Sequence, residues 1–164
     1  PAQIALDPCS GSVVITDPRN GDVRAMVTYP SYDNNMLSGS VDSEYWAKLI
    51  DDQSDPLYNR STQGATAPGS TFKMTTALAS LSEGIITPGS TVVFKKITPS
   101  PKCWIYPKGT HGYQNVSEAL ANSCNYFFYE MGYRLGKSNG TSYDSAVGLD
   151  KMEKYATKLG LNMK

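Results

Sequence analysis

The chain has 164 residues, 40% of them hydrophobic, enough for a single domain with a packed core. Fifteen basic and fifteen acidic side chains cancel, so charge points to neither nucleic acid nor an anionic membrane surface. No apolar run reaches the roughly eighteen residues that span a bilayer, and no signal peptide is visible. Fourteen Gly, ten Pro and eleven Tyr describe a loop-rich domain rather than a helical bundle. Beginning at Pro1 without a methionine, the chain reads as a processed or trimmed segment. Three cysteines, Cys9, Cys103 and Cys124, are an odd number, so at least one is unpaired within the chain.

In chain order, Ser12–Thr16 and Val23–Val27 are β-prone runs joined through Asn20-Gly21, which predicts a hairpin over 12–29. Tyr29–Asn35 is a loop by composition. Residues 43–51, with Tyr45, Trp46, Leu49 and Ile50, predict a short amphipathic helix. Asp55–Arg60 leads through polar residues to Pro68-Gly69, after which Met74, Ala77, Leu78 and Leu81 recur at helical spacing and Gly84 supplies a stop. Thr91–Phe94 is strand-like, and Lys95–Lys108 is rich in Pro and Lys. Residues 116–136 read as one helix ending at Gly136. Leu149–Leu161 reads as another, with Met152, Tyr155, Ala156 and Leu159 on one side. There are no internal repeats and no low-complexity tract.

Chemistry concentrates in three places. Ser70 and Lys73 stand one turn apart at the start of a helix, the spacing of a nucleophile and its base. A serine hydroxyl needs a neighbour to take its proton, and a lysine can do so only once neutral. Burial and the positive end of the helix dipole both favour the neutral amine. A capping serine followed by a solvated lysine gives the same four letters. Ser123 and Asn125, two positions apart, can both face a cleft if the backbone between them is turn-like, the hydroxyl relaying a proton and the amide holding a substrate carbonyl. A polar break in a buried helix is the alternative. Cys103, His111 and Cys124 are residue types that zinc prefers, although their spacing is not that of a compact finger and by spacing alone an unrelated set is the better reading.

Ser-x-x-Lys and Ser-x-Asn together are far more specific. With Gly11–Pro18, Gly21–Val27, Tyr32–Asn35, Pro56–Arg60, Pro68–Lys73 and His111–Gly136, the chain resembles the transpeptidase domain of a class B penicillin-binding protein, most closely the elongation type, over nearly its whole length. The resemblance implies an α+β fold, the penicillin-binding protein/serine β-lactamase-like arrangement of an antiparallel sheet packed with helices, incomplete in this chain. Residues 1–164 correspond to the N-terminal part of that domain.

Carried over by position, Ser70 is the acylated nucleophile, Lys73 its base, Ser123 a proton shuttle and Asn125 a substrate-orienting amide. The implied reaction is D,D-transpeptidation of peptidoglycan stem peptides, with β-lactams as covalent mimics. The implied setting is the extracytoplasmic face of a bacterial membrane, beside elongation or division machinery. The family's Lys-Ser/Thr-Gly motif is missing, since Lys137-Ser138-Asn139-Gly140 carries Asn139 where Gly is required, so the segment alone is expected to be inactive. The resemblance also implies a structural zinc on Cys103, His111 and Cys124, with no fourth match because Lys95 and Lys96 occupy that neighbourhood. A Cys103–Cys124 disulfide is the rival, and Cys9 belongs to neither. A β-lactam-sensing receptor domain and a serine β-lactamase or D,D-carboxypeptidase are the alternative functions.

Overall fold

The computed structural model describes residues 10–93, 102–137 and 142–161 and divides into two compact units, Pro1–Ala67 and Pro68–Lys164. Cys9, Phe94, Lys95, Lys96 and the Ser138–Gly140 stretch lie outside the described residues.

The first unit is built on the expected hairpin. Strands β1 (Gly11–Thr16) and β2 (Val23–Tyr29) pair antiparallel, Val13 opposite Val27, with an irregularity between Ile15 and Thr16. Buried Asp17 organises the turn. Its carboxylate accepts from the Arg19 backbone and guanidinium and from Arg24. Those bonds, from Arg19 first, hold its pKa well below the usual carboxylate range. Helix α1 (Ser43–Asp51) has the predicted bounds, is capped by the Asp42 carboxylate, and buries Leu49. The polar stretch after Asp55 contains one further turn, α2 (Arg60–Gln63), which packs on both strands. The loop at 29–35 runs into a 3₁₀ turn, Asn34–Leu37, capped by Asp33.

In the second unit a 3₁₀ turn, Gly69–Phe72, feeds α3 (Lys73–Ser82). The buried side of α3 differs from the apolar periodicity. Met74 is 64% exposed and Leu78 is also exposed, whereas Thr75, Thr76, Ala77, Ala79 and Ser80 are buried. Small side chains let α3 lie close against its neighbours, and the Ser80 hydroxyl is satisfied by the Thr76 carbonyl. Of the strand expected at 91–94, Val92 pairs with Gln114, and among the described residues of that stretch it alone does so.

The helix expected over 116–136 is two helices, α4 (Val116–Ala121) and α5 (Asn125–Gly136). α4 opens with a capping box between Asn115 and Glu118. Helix α6 (Ser145–Lys158) begins four residues earlier than its pattern, at an Asp144 cap, and buries Tyr155 and Ala156 with Met152 half-buried, while Leu159 is exposed. Ala77, Ile86, Val116, Ala119, Phe127, Phe128 and Met131 form the main core, joined by Cys103 and Cys124.

Candidate active site

Three helices in the second unit end in the same hydrogen-bond pattern, in which a residue in the left-handed region closes the last turn. For α3 the residue is Gly84, with Gly84 N–H donating to Leu81 O and Ile85 N–H to Ser80 O. For α6 it is Gly160, with Gly160 N–H donating to Thr157 O and Leu161 N–H to Ala156 O. For α4 it is Ser123, at φ +46°, with Ser123 N–H donating to Leu120 O and Cys124 N–H to Ala119 O. A side chain in that region costs about 1–2 kcal/mol relative to glycine. The turn separates α4 from α5 and leaves both the Ser123 carbonyl and its hydroxyl pointing at Lys73.

Lys73 Nζ donates to Ser123 O (2.8 Å), Ser123 Oγ (3.0 Å) and Asn125 Oδ1 (2.6 Å). Ser123 Oγ donates in turn to Ser70 Oγ at 3.2 Å. The four residues singled out by motif are therefore brought together, Lys73, Ser123 and Ser70 in that order, with Asn125 bonded to Lys73. The bonds of Lys73 run to Ser123 and Asn125, and Ser70 joins through the Ser123 hydroxyl. Ser70 is exposed and Lys73 half-buried. Burial pushes the Lys73 pKa down, opposed by coulombic attraction from Cys103 and Cys124 whenever those thiols ionise. Ser70 stands one residue after Gly69, whose φ of +56° sets the entry into the 3₁₀ turn. Its N–H is among those a helix start leaves without an intrahelical partner. A cleft of about 640 Å³ runs from Ser70, Lys73 and Asn125 along Tyr129, Tyr133 and Met152.

Cys103, His111 and Cys124 also converge, their ligand atoms all within 4.8 Å of one another. Both cysteines are buried free thiols. Cys103 Sγ and His111 Nδ1 are 3.6 Å apart, inside the roughly 3.4–3.8 Å separation that tetrahedral zinc imposes on sulfur and nitrogen donors. Burial pushes both thiols up; in Cys103 the backbone N–H groups of Tyr126, Asn125 and Ile105 outweigh it, and the net shift is down. The residues present fit a thiophilic metal. No motif or spacing in the sequence singles out Trp104. Its ring packs beside His111 at 5.4 Å between centroids, and its Nε1–H donates to Asn122 O at 3.0 Å.

A serine and a lysine at a 3₁₀-to-helix junction, joined by a second serine on a left-handed turn, define a serine–lysine active-site architecture. Residues 11–164 match the model of the penicillin binding protein transpeptidase domain, and the chain belongs to that family. It is 36% identical over 141 residues to the peptidoglycan D,D-transpeptidase MrdA of Haemophilus influenzae, covering 80% of this chain and 21% of that protein. Pseudomonas aeruginosa PBP2 superposes with a TM-score of 0.81 at 30% identity, over 99% of this chain and 35% of that one. The penicillin G acyl-enzyme of penicillin-binding protein A from Mycobacterium tuberculosis superposes at 0.75 with 31% identity, over 95% of this chain and 35% of that one. The chain thus spans about a fifth to a third of these relatives. Among the described residues no helix is long and apolar enough to cross a membrane.

Proposed function

We propose that this chain forms the nucleophile-bearing part of a peptidoglycan D,D-transpeptidase acting outside the cytoplasm. The observation that carries the reading is the continuous hydrogen-bonded path from Lys73 through Ser123 to Ser70. Ser70 Oγ attacks the carbonyl of the D-Ala-D-Ala bond and its proton passes through Ser123 to the neutral Lys73 amine, the two hydroxyls reversing their donor sense. The tetrahedral oxyanion is held by the Ser70 N–H. The proton returns through Ser123 to the departing D-alanine amine as the C–N bond breaks, leaving the ester on Ser70. An amine of a neighbouring stem then attacks the ester, forms the cross-link and restores the Ser70 hydroxyl. With Oδ1 engaged by Lys73, Asn125 presents its amide N–H groups to the donor.

β-Lactams enter as donor mimics that leave a stable ester, which makes the enzyme an antibiotic target. The family's Lys-Ser/Thr-Gly motif has no counterpart in this sequence, and we infer that residues 1–164 alone acylate poorly. We assign Cys103, His111 and Cys124 to a zinc ion. Bound there, zinc supplies a structural cross-link and no nucleophile. The ligands tie the 103–111 loop to Cys124, between Ser123 and Asn125.

The test is acylation of the full-length protein by labelled penicillin, with the modified peptide identified by mass. Label should fall on Ser70 and vanish in Ser70→Ala. The acylation rate should climb with pH as Lys73 loses its proton, levelling off below the ordinary lysine pKa of about 10.4, because burial disfavours the ammonium. Labelling that survives the substitution overturns the reading.

A further inference from the structure

The left-handed turn that aims Ser123 is held from two sides. From within, the Ser123 and Cys124 N–H groups close the end of α4. From outside, Trp104 donates its indole N–H to the Asn122 carbonyl. Asn122 is the C-terminal cap of α4, and its carbonyl belongs to the peptide unit joining it to Ser123. That peptide plane fixes the φ of Ser123, so its tilt sets where the Ser123 carbonyl and hydroxyl point. Both accept from Lys73, and the hydroxyl reaches Ser70.

Trp104 is poorly explained as core. Its side chain is 64% exposed, so apolar burial is not what holds it in place. Among the described residues its indole N–H bonds the Asn122 carbonyl and its ring lies beside that of His111. Elsewhere in this unit the same helix-ending motif uses Gly84 and Gly160, which adopt the left-handed region without strain. At Ser123 the strain is present, and an external donor sits on the adjoining carbonyl.

We propose that Trp104 is a positioning residue for acyl transfer, its indole N–H holding the Asn122–Ser123 peptide in the orientation that places the Ser123 hydroxyl between Lys73 and Ser70. This rests on the transpeptidase reading and adds to it a residue that touches neither substrate nor the reacting atoms. Loss of the N–H frees the peptide plane to tilt, and small displacements of a relaying group are costly in rate. Substrate binding, made by other groups, stays as it was.

The experiment uses full-length protein and benzylpenicillin, separating the non-covalent dissociation constant from the acylation rate constant by stopped-flow. Two variants at position 104 are compared with wild type. One is Trp104→Phe. The other carries β-(3-benzothienyl)alanine, which keeps the bicyclic shape and replaces N–H by sulfur. Both should lower the acylation rate constant roughly tenfold. The dissociation constant should stay within twofold, the thermal midpoint within about 2 °C, and the bound zinc per chain unchanged. An unchanged rate constant in the benzothienyl variant overturns the proposal, since shape alone then suffices. So does a loss of rate accompanied by loss of metal, which would make Trp104 a support for His111. If wild-type protein is not acylated at Ser70 at all, the transpeptidase reading fails before position 104 is tested.

Discussion

Ser123 occupies a backbone position that two other helices of the same unit give to glycine, and its hydroxyl bonds both Lys73 and Ser70. Replacing it separates the two demands. Ser123→Gly relieves the left-handed strain and should raise the stability of the full-length protein by about 1 kcal/mol in denaturant unfolding. Ser123→Ala keeps the strain and should leave stability near wild type. Both remove the proposed proton relay and should lower the penicillin acylation rate by about a hundredfold or more. If glycine brings no gain in stability, the turn is not strained as described. The sequence shows the hydroxyl and the amide two positions apart, but not the turn, because the usual glycine signal for a helix end is missing.

At the scale of elements, α5 and α6 meet where glycines allow it. A Cβ on Gly136 would lie 2.7 Å from the Asp144 carbonyl oxygen and 2.8 Å from the Tyr143 ring, and one on Gly148 would lie 3.2 Å from the Gly136 nitrogen. Gly132, one turn earlier on α5, opens onto free space. Gly132→Ala should therefore stabilise, by up to about 1 kcal/mol from helix propensity, while Gly136→Ala should cost about 1–3 kcal/mol by overpacking. Thermal or denaturant unfolding of the two variants gives the comparison, and equal effects would show that the close approach is not real. Sequence pattern placed α1 within its observed bounds because the apolar stripe of Tyr45, Trp46, Leu49 and Ile50 is a local property. Its apolar periodicity also marks α3 correctly as a helix but does not give its buried side, since Met74 and Leu78 are exposed while Ala77, Ala79 and Ser80 carry the packing. The choice between those faces is made by how closely α5 and α6 can approach, which periodicity does not encode.

For the molecule as a whole, the thiol–imidazole cluster links the loop at 103–111 to the turn between α4 and α5. Full-length protein purified without added metal should carry about one zinc per chain by elemental analysis. Cys124→Ser should lose most of it, with the thermal midpoint and the acylation rate falling together. Less than a tenth of an equivalent, with Cys103 and Cys124 recovered as a disulfide, would favour the oxidised pair. Both thiols are free and buried here, and His111 Nδ1 stands within ligand distance of Cys103.

By itself the sequence determined the chemistry. The spacing of Ser70 and Lys73, the hairpin across Asn20-Gly21, the amphipathic helix at 43–51 and the membership of the transpeptidase family are all local or motif-borne properties, written in residues close together along the chain. Tertiary structure decided the geometry that links them. Lys73 lies fifty residues from Ser123 and reaches Ser70 through it. His111 meets two cysteines only after the 103–111 loop folds back on the end of α4. Trp104 gains its role from the carbonyl of Asn122, eighteen residues away. Such contacts depend on a left-handed serine and on close helix packing, and both are set by the balance of strain, burial and hydrogen bonding in the assembled core rather than by any local pattern.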